Sequence, residues 1–183
     1  MKLSNTSLPG VFLIEPKVFS DPRGFFWENW NAAKYKSLGI SNEFVQDNIS
    51  YSKHGVIRGL HFQNPKGQGK LISVLQGSIF DVAVDIRPNS PYFKQWVGFE
   101  LSAENHYQLW IPRGFAHGFG VLSSDALVSY KTDDYYSPSD EQTLFWNDPE
   151  IKVVWPIKNP IISEKDLQGL CLNEFSIEKL PNI

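Results

Sequence analysis

Cysteine and methionine each occur once in the 183 residues, and histidine only four times. The lone Cys171 cannot form an intrachain disulfide, and it reads as a small apolar residue near the C-terminus. Histidine is too sparse and too scattered for the usual metal patterns. His61 has Gly59 and Gln63 two positions to either side, so His-X-His is missing, and no cysteine joins His106 and His117. Arg58 and Lys70 would in addition repel a divalent cation, so no metal is expected. Seventeen basic against twenty acidic side chains give a formal charge of −3, with no block of like charge, so the footprint of a nucleic-acid binder is absent. No apolar run approaches the ~20 residues of a membrane-spanning helix. The first residues, one lysine followed by Ser-Asn-Thr-Ser-Leu-Pro, lack the hydrophobic stretch of a signal peptide. A cytoplasmic protein with no membrane partner is expected.

What is present favours one β-rich core. Hydrophobic residues make up 42% of the chain and aromatics 14%, ample for a single domain over residues 1–183. Phe80, Val82, Val84 and Ile86 alternate with Asp81, Ala83, Asp85 and Arg87, the period of a half-buried strand. Leu71 to Leu75 reads as another strand, with Gln76-Gly77-Ser78 between the two as a hairpin turn. Further short runs cover 96–101, 106–111 and 126–131, and Pro-, Gly-, Ser- and Asp-rich segments punctuate them. Such spacing predicts an antiparallel sandwich or barrel. Helix is expected from Asn31 to Leu38, ended by Gly39. A helical turn is expected near Ser163, with Ser163 and Asp166 spaced as in a capping box. No repeat or linker divides the chain, and its ends are expected to be mobile.

The densest chemistry lies in Arg58-Gly59-Leu60-His61-Phe62-Gln63, with Gly69-Lys70 close behind. A guanidinium, an imidazole and an ammonium within a strand-rich window suggest a lined cavity. On a regular strand, residues three apart point to opposite faces, so Arg58 and His61 would diverge unless Gly59 kinks or bulges the strand. Neighbouring cations would favour neutral His61, the form a general base needs, whereas a carboxylate would orient its ring. His117 lies between Gly114 and Gly118, which permit tight backbone beside a ligand. Tyr130 and Tyr136 offer a phenolic proton or a stacking ring. Arg23 and Glu28 flank Gly24 and two phenylalanines including Phe26, and Gln46-Asp47-Asn48 is rich in amide groups.

Seven segments in order, DPRGFFWE, FVQDNISYS, GVIRGLHFQ, QGKLISVLQGSIFDVAVDIR, IPRGFAHGF, YKTDDYY and SEKDLQG, resemble the dTDP-4-dehydrorhamnose 3,5-epimerase family over positions 12 to 170. The resemblance implies a mainly β, cupin-type double-stranded β-helix (jelly roll) with a few short helices. It also implies a metal-free homodimer acting on a dTDP-linked 4-keto sugar in dTDP-L-rhamnose biosynthesis. Within that resemblance, His61 matches the base and Tyr130 the opposite-face acid. Asp166 matches the carboxylate paired with the base, and Lys70 the cation facing the C4 oxygen. Arg23, Phe26, Glu28, Gln46, Asn48, Arg58, Lys70 and His117 match substrate-binding positions. So do Tyr136, as the thymine-stacking ring, and Glu141 and Lys165. The family exchanges N-terminal strands, so Arg23 and Glu28 are expected to act in a partner's site.

Four rivals bracket this reading. A relative that inverts C3 alone or C5 alone, on a related nucleotide-linked 4-keto sugar, would keep the histidine base and move the acid. A 3,4-ketoisomerase is disfavoured by the QDN and SEKD segments. A non-catalytic sugar-nucleotide binder would keep stacking aromatics and lose His61 or Tyr130, and both are present. A cupin dioxygenase would need a three-histidine metal site.

Overall fold

The computed structural model describes residues 1–182. The chain opens with β1 (Lys2–Asn5), β2 (Phe12–Glu15), β3 (Val18–Asp21) and β4 (Gly24–Trp27), then helix α1 (Ala32–Ser37). Eight long or central strands follow: β5 (Gln46–Lys53), β6 (Ile57–Gln63), β7 (Lys70–Gln76), β8 (Ser78–Asp85), β9 (Trp96–Ser102), β10 (Gln108–Ile111), β11 (Phe115–Val121) and β12 (Asp125–Thr132). The short β13 (Glu141–Thr143) and helix α2 (Glu164–Leu167) complete the regular elements that matter for the site.

Two antiparallel sheets face each other. One has the order β1-β2-β10-β7-β12-β5, the other β13-β6-β11-β8-β9, and β3-β4 stands apart as a hairpin. This is a jelly-roll sandwich, as the spacing of short strands predicts. Inward-facing Ile72, Val74, Ile79, Ala83, Phe119, Val121 and Val128 fill one end of the space between the sheets. Burying each large aliphatic side chain contributes roughly 1.5–3 kcal/mol, so this layer dominates the cohesion of the two sheets.

Each sheet is also covered on its outer face. Helix α1 lies where expected: Asn31 Oδ1 accepts the Lys34 N–H as its N-cap, and Gly39 turns the chain at φ +94°. Its buried Tyr35 packs with Ile14, Leu71 and Trp110 behind the six-stranded sheet. The chain after β13 covers the other sheet, burying Leu144, Ile151, Val153, Leu172 and Leu180 against Val82, Val84 and Ile86.

Three expectations change here. Strand β8 is not half-buried: Phe80, Val82 and Val84 pack outward under the C-terminal segment, while Ile79 and Ala83 face the sandwich core. Asp81, read as facing solvent, is therefore fully interior. Gln76-Gly77-Ser78 is not a hairpin, because β7 pairs with β10 and β12 while β8 pairs with β11 and β9. Gly77 instead turns the chain from one sheet to the other at φ +75°, where a Cβ would lie 2.0 Å from the Asp125 carbonyl oxygen. The ends are packed, not loose: β1 pairs with β2, and Leu180 is buried.

Candidate active site

At one end of the sandwich the inward positions turn from apolar to polar, and a cavity of about 380 Å³ opens there. The change is written into β5. Gln46, Asn48, Ser50 and Ser52 alternate inward, and Asp47, Ile49 and Tyr51 point out. Opposite, β6 contributes Arg58, His61 and Gln63.

The parity conflict between Arg58 and His61 is resolved by a bulge. His61 pairs with His117 and Arg58 with Phe119, so β6 advances three residues while β11 advances two. The extra residue returns Arg58 to the face of His61, and both line the cavity while Leu60 and Phe62 enter the outer core. Gly59 carries the bulge at φ +102°. A Cβ there would meet the His117 carbonyl oxygen at 2.6 Å, and one on Gly118 would meet the Arg58 carbonyl oxygen at the same distance. Two glycines face to face let the strands close over the irregularity.

His61 is fixed from outside the sheet. Asp166, the single buried residue of α2, places Oδ1 2.7 Å from His61 Nε2 and accepts the Gly59 N–H through Oδ2 at 3.2 Å. Burial raises the Asp166 pKa, but the bond and charge of His61, with the Gly59 N–H and Ser163, outweigh it and hold the carboxyl below its ordinary value. An ionised carboxylate only accepts, so in the neutral ring Nε2 carries the hydrogen and Nδ1 the lone pair. The expected capping box is half formed: Ser163 Oγ accepts the Asp166 N–H, but the Asp166 carboxylate is turned to His61.

A second imidazole lies directly across the strand pair. His117 Nε2 approaches Asp81 at 2.9 and 3.1 Å, and Asp81 is fully buried. Burial raises the Asp81 pKa, opposed by His117 and Lys70. Lys70 enters from β7 on the facing sheet. It is buried, and within the described residues no carboxylate forms a salt bridge with it. Burial lowers its pKa to about 8, against the attraction of Glu141, Asp81 and Asp133. Asp133 shapes this corner by accepting the Gly69 N–H at 2.6 Å and the Arg113 guanidinium.

Tyr130 also comes from the facing sheet, on β12, opposite Asn48 and Ile72. Burial raises its pKa, which Arg58 partly offsets, so the phenol stays protonated at neutral pH. Arg58 is braced by Ser52 Oγ at 2.8 Å and the Tyr51 carbonyl, with its remaining N–H groups on the cavity side. At the mouth, the Tyr136 hydroxyl donates to Glu141 Oε2 at 2.8 Å, and Lys165 pairs with the same oxygen.

The fold thus gathers His61, Lys70, Tyr130, Arg58, His117, Gln46, Asn48, Tyr136 and Glu141 around one cavity. Asp166 stands behind His61, and Lys165 behind Glu141. Arg23, Phe26 and Glu28 are not brought to it: Arg23 and Phe26 lie on the exposed β3–β4 hairpin around a separate surface recess, and Glu28 pairs with Lys34. Sequence reasoning missed Asp81, hidden in an alternation that reads as a solvent face, and Ser50, whose buried Oγ has no partner among the described residues. Among the described residues no three His, Cys, Asp or Glu side chains converge as a metal would require, and no helix is long and apolar enough to cross a membrane.

Comparison with known proteins agrees with this geometry. Residues 5–174 match the family model described as dTDP-4-dehydrorhamnose 3,5-epimerase. A protein of that name from Shigella flexneri is 52% identical over 171 residues, 92% of this chain and 94% of its own. The crystal structure of a dTDP-6-deoxy-D-glucose-3,5-epimerase from Legionella pneumophila, in complex with dTDP-4-keto-L-rhamnose, superposes with a TM-score of 0.97 at 49% identity, covering 100% of this chain and 98% of that one. A dTDP-4-dehydrorhamnose 3,5-epimerase from Bacillus anthracis, with TDP and PPi bound, gives 0.91 at 50% identity over 93% and 98% of the two chains. With the strand order, the bulged β6 and the His61–Asp166 pair beside them, these matches place the chain in the dTDP-4-dehydrorhamnose 3,5-epimerase family.

Proposed function

We propose that this chain is an isomerase that inverts C3 and C5 of dTDP-4-dehydro-6-deoxy-D-glucose to give dTDP-4-dehydro-L-rhamnose. One observation carries the reading. The His61 imidazole on one sheet, backed by Asp166 from α2, and the protonated Tyr130 phenol on the other line one cavity, beside the buried Lys70 ammonium, which forms no salt bridge among the described residues. Epimerisation needs this arrangement, because a proton must leave one face of a carbon and return to the opposite face.

The hydrogens on C3 and C5 are both alpha to the C4 ketone. His61 Nδ1 takes the proton, the C–H electron pair becomes the enolate double bond, and negative charge collects on the C4 oxygen. Lys70 stabilises that oxygen; a buried cation needs no reorganisation to do so. Asp166 holds the ring and offsets the imidazolium charge. Tyr130 then donates its proton to the carbon from the other face, and solvent restores both groups before the second centre is inverted. Arg58, braced by Ser52, offers paired N–H groups to the diphosphate. The Tyr136 ring stacks on thymine, and Gln46, Asn48 and His117 bind the nucleotide-sugar. No redox cofactor is needed, since no electrons are gained or lost overall.

The reading is tested by turnover of dTDP-4-keto-6-deoxyglucose in D₂O. Deuterium is expected at both C3 and C5 of the product, and incorporation at C3 alone would leave a single-centre epimerase.

A homodimer fits the same reading. Phe25 and Phe26 are exposed on the β3–β4 hairpin, Ile49 and Tyr51 on the outer face of edge strand β5, and neither Arg23 nor Glu28 lines the cavity of its own chain. A partner's hairpin delivering Arg23, Phe26 and Glu28 would cover this apolar surface and complete the site. Light scattering is expected to give twice the chain mass, and a monomer at working concentration would exclude this part of the reading.

A further inference from the structure

We propose that Asp133, itself held by Arg113 and Asn42, is the positioning residue of Lys70, pinning the strand end from which the buried ammonium reaches the cavity. Its importance for turnover rests on Lys70 being the cation that faces the C4 oxygen. Lys70 opens β7 at the level where both neighbouring strands stop. It lies opposite Ile111, the last residue of β10, and Thr132, the last of β12. The ladder that holds β7 on both sides therefore ends here, and strand ends fray unless they are tied. The side chain has no tie of its own. Among the described residues the salt bridges of Asp81, Asp133 and Glu141 go to His117, Arg113 and Lys165. An ammonium on a flexible four-carbon stem is placed only as well as the backbone that carries it.

Asp133 supplies the missing tie one step past the ladder. Its N–H donates to the Gly69 carbonyl at 3.1 Å, and its Oδ1 accepts the Gly69 N–H at 2.6 Å. The chain passes there between a ring and a carboxylate. A Cβ on Gly69 would lie 2.6 Å from Trp110 Cη2 and 2.9 Å from Asp133 Oδ2, so no side chain fits without displacing one of them. The carboxylate is buried and is gripped in turn. Asn42 Nδ2 donates to its Oδ2 at 2.6 Å, and Arg113 Nε lies 3.2 Å from both oxygens. Arg113 also donates through Nη2 to the Asp133 carbonyl at 3.0 Å. None of the three residues lines the cavity, so whatever they do for the reaction is done through another side chain.

Charge follows the same contacts. Lys70 has Asp81 on β8, Glu141 on β13 and Asp133 after β12 around it, and each opposes the lowering of its pKa to about 8 by burial. Arg58 and His61 from β6, His117 from β11 and the Tyr130 phenol share its cavity, while Arg113 and Asp134 lie behind Asp133. Of the three carboxylates, Asp133 is the one bonded to the backbone next to Lys70. One side chain therefore sets both where the ammonium starts and how firmly it keeps its proton.

The experiment follows Lys70 directly in the full chain. Lysines are labelled with ¹³C at Cε and titrated by NMR, the Lys70 signal being the one lost in Lys70→Met. In parallel, kcat is measured with dTDP-4-keto-6-deoxyglucose and dTDP binding by calorimetry. Asp133→Ala is expected to move the Lys70 midpoint to lower pH and to lower kcat ~10-fold, with dTDP affinity unchanged. Asp133→Asn keeps an oxygen for the Gly69 N–H but loses the charge. It is expected to restore most of kcat at a pH below both midpoints, while its Lys70 midpoint stays low. An unmoved midpoint, an unaltered kcat in Asp133→Ala, or an Asp133→Asn variant as slow as Asp133→Ala would overturn the tether. So would a matching loss of dTDP affinity, which would show Asp133 acting through the chain that leads to Tyr136. Melting temperatures identify a folding defect, and if Asp133→Ala does not fold, the Lys70 midpoint of Asp133→Asn decides alone. Wild-type protein without turnover would instead overturn the epimerase reading, and the Lys70 titration would still test the tether.

Discussion

His61 and His117 face each other across β6 and β11, and both present Nε2 to a carboxylate, yet the two pairs are built for different work. Asp166 arrives from a helix outside the sheet, carries a second N–H from Gly59, and has its pKa lowered. Asp81 lies inside the sandwich with His117 as its only hydrogen-bonding side chain among the described residues, and burial raises its pKa. The imidazoles differ in the same sense: the His61 side chain is 30% exposed and that of His117 11%. A stabilised anion behind an accessible ring suits a base that must carry charge for part of each turnover. A desolvated anion behind a buried ring suits a fixed contact. The same two residue types thus sit in different electrostatic settings, set by the number of donors around the carboxylate.

The sharpest way to break this contrast is to neutralise the better-held carboxylate. Replacing His61 by alanine removes the proposed base, and exchange at both C3 and C5 is expected to vanish. Asp166→Asn keeps the ring in place but favours the wrong tautomer, because an amide can donate where the carboxylate only accepted. A fall in kcat of roughly 10²- to 10⁴-fold is expected, with little change in KM. Exchange rates at the two carbons, followed by NMR in D₂O, measure it. Near wild-type turnover in Asp166→Asn would mean that the pair seen behind His61 plays no part in proton transfer.

How visible these two pairs are in the sequence differs as much as their chemistry. The strand spacing makes the sandwich legible, and the chemistry of Arg58, His61 and Lys70 marks the window. Even the parity conflict at Gly59 is readable, because strand geometry asks for a kink or a bulge there if Arg58 and His61 are to share a face. Asp166 is legible through resemblance, while its spacing from Ser163 points to a helix cap, since one carboxylate can satisfy either pattern. Asp81 was invisible. Alternation cannot distinguish a strand with one face in water from one buried on both, and the cover over β8 comes from residues far along the chain, from Leu144 to Leu180. Gly77 misleads for a related reason, since a turn between two strands looks the same whether they pair or part into different sheets. The β3–β4 hairpin is the opposite case: Arg23, Phe26 and Glu28 match binding positions, but within one chain no contact carries them to the cavity.

The smaller effect belongs to Asp81, and it reports on charge more than on the proton being moved. Asp81→Asn is expected to raise KM about tenfold through a less firmly held His117, far short of the loss from Asp166→Asn. Its clearer mark is in the pH profile. Lys70 is lowered by burial to about 8, so the wild-type enzyme should lose activity as pH rises through that value and the ammonium loses its proton. Asp81 is one of three carboxylates that oppose this lowering, with Glu141 and Asp133. Removing its charge lets burial dominate further, so the alkaline limb of kcat must move to lower pH, whereas a loss of packing alone would lower activity evenly across the range. An unmoved limb would mean that Asp81 carries no charge in the neutral range, and the two histidine pairs would then differ by protonation as well as by placement.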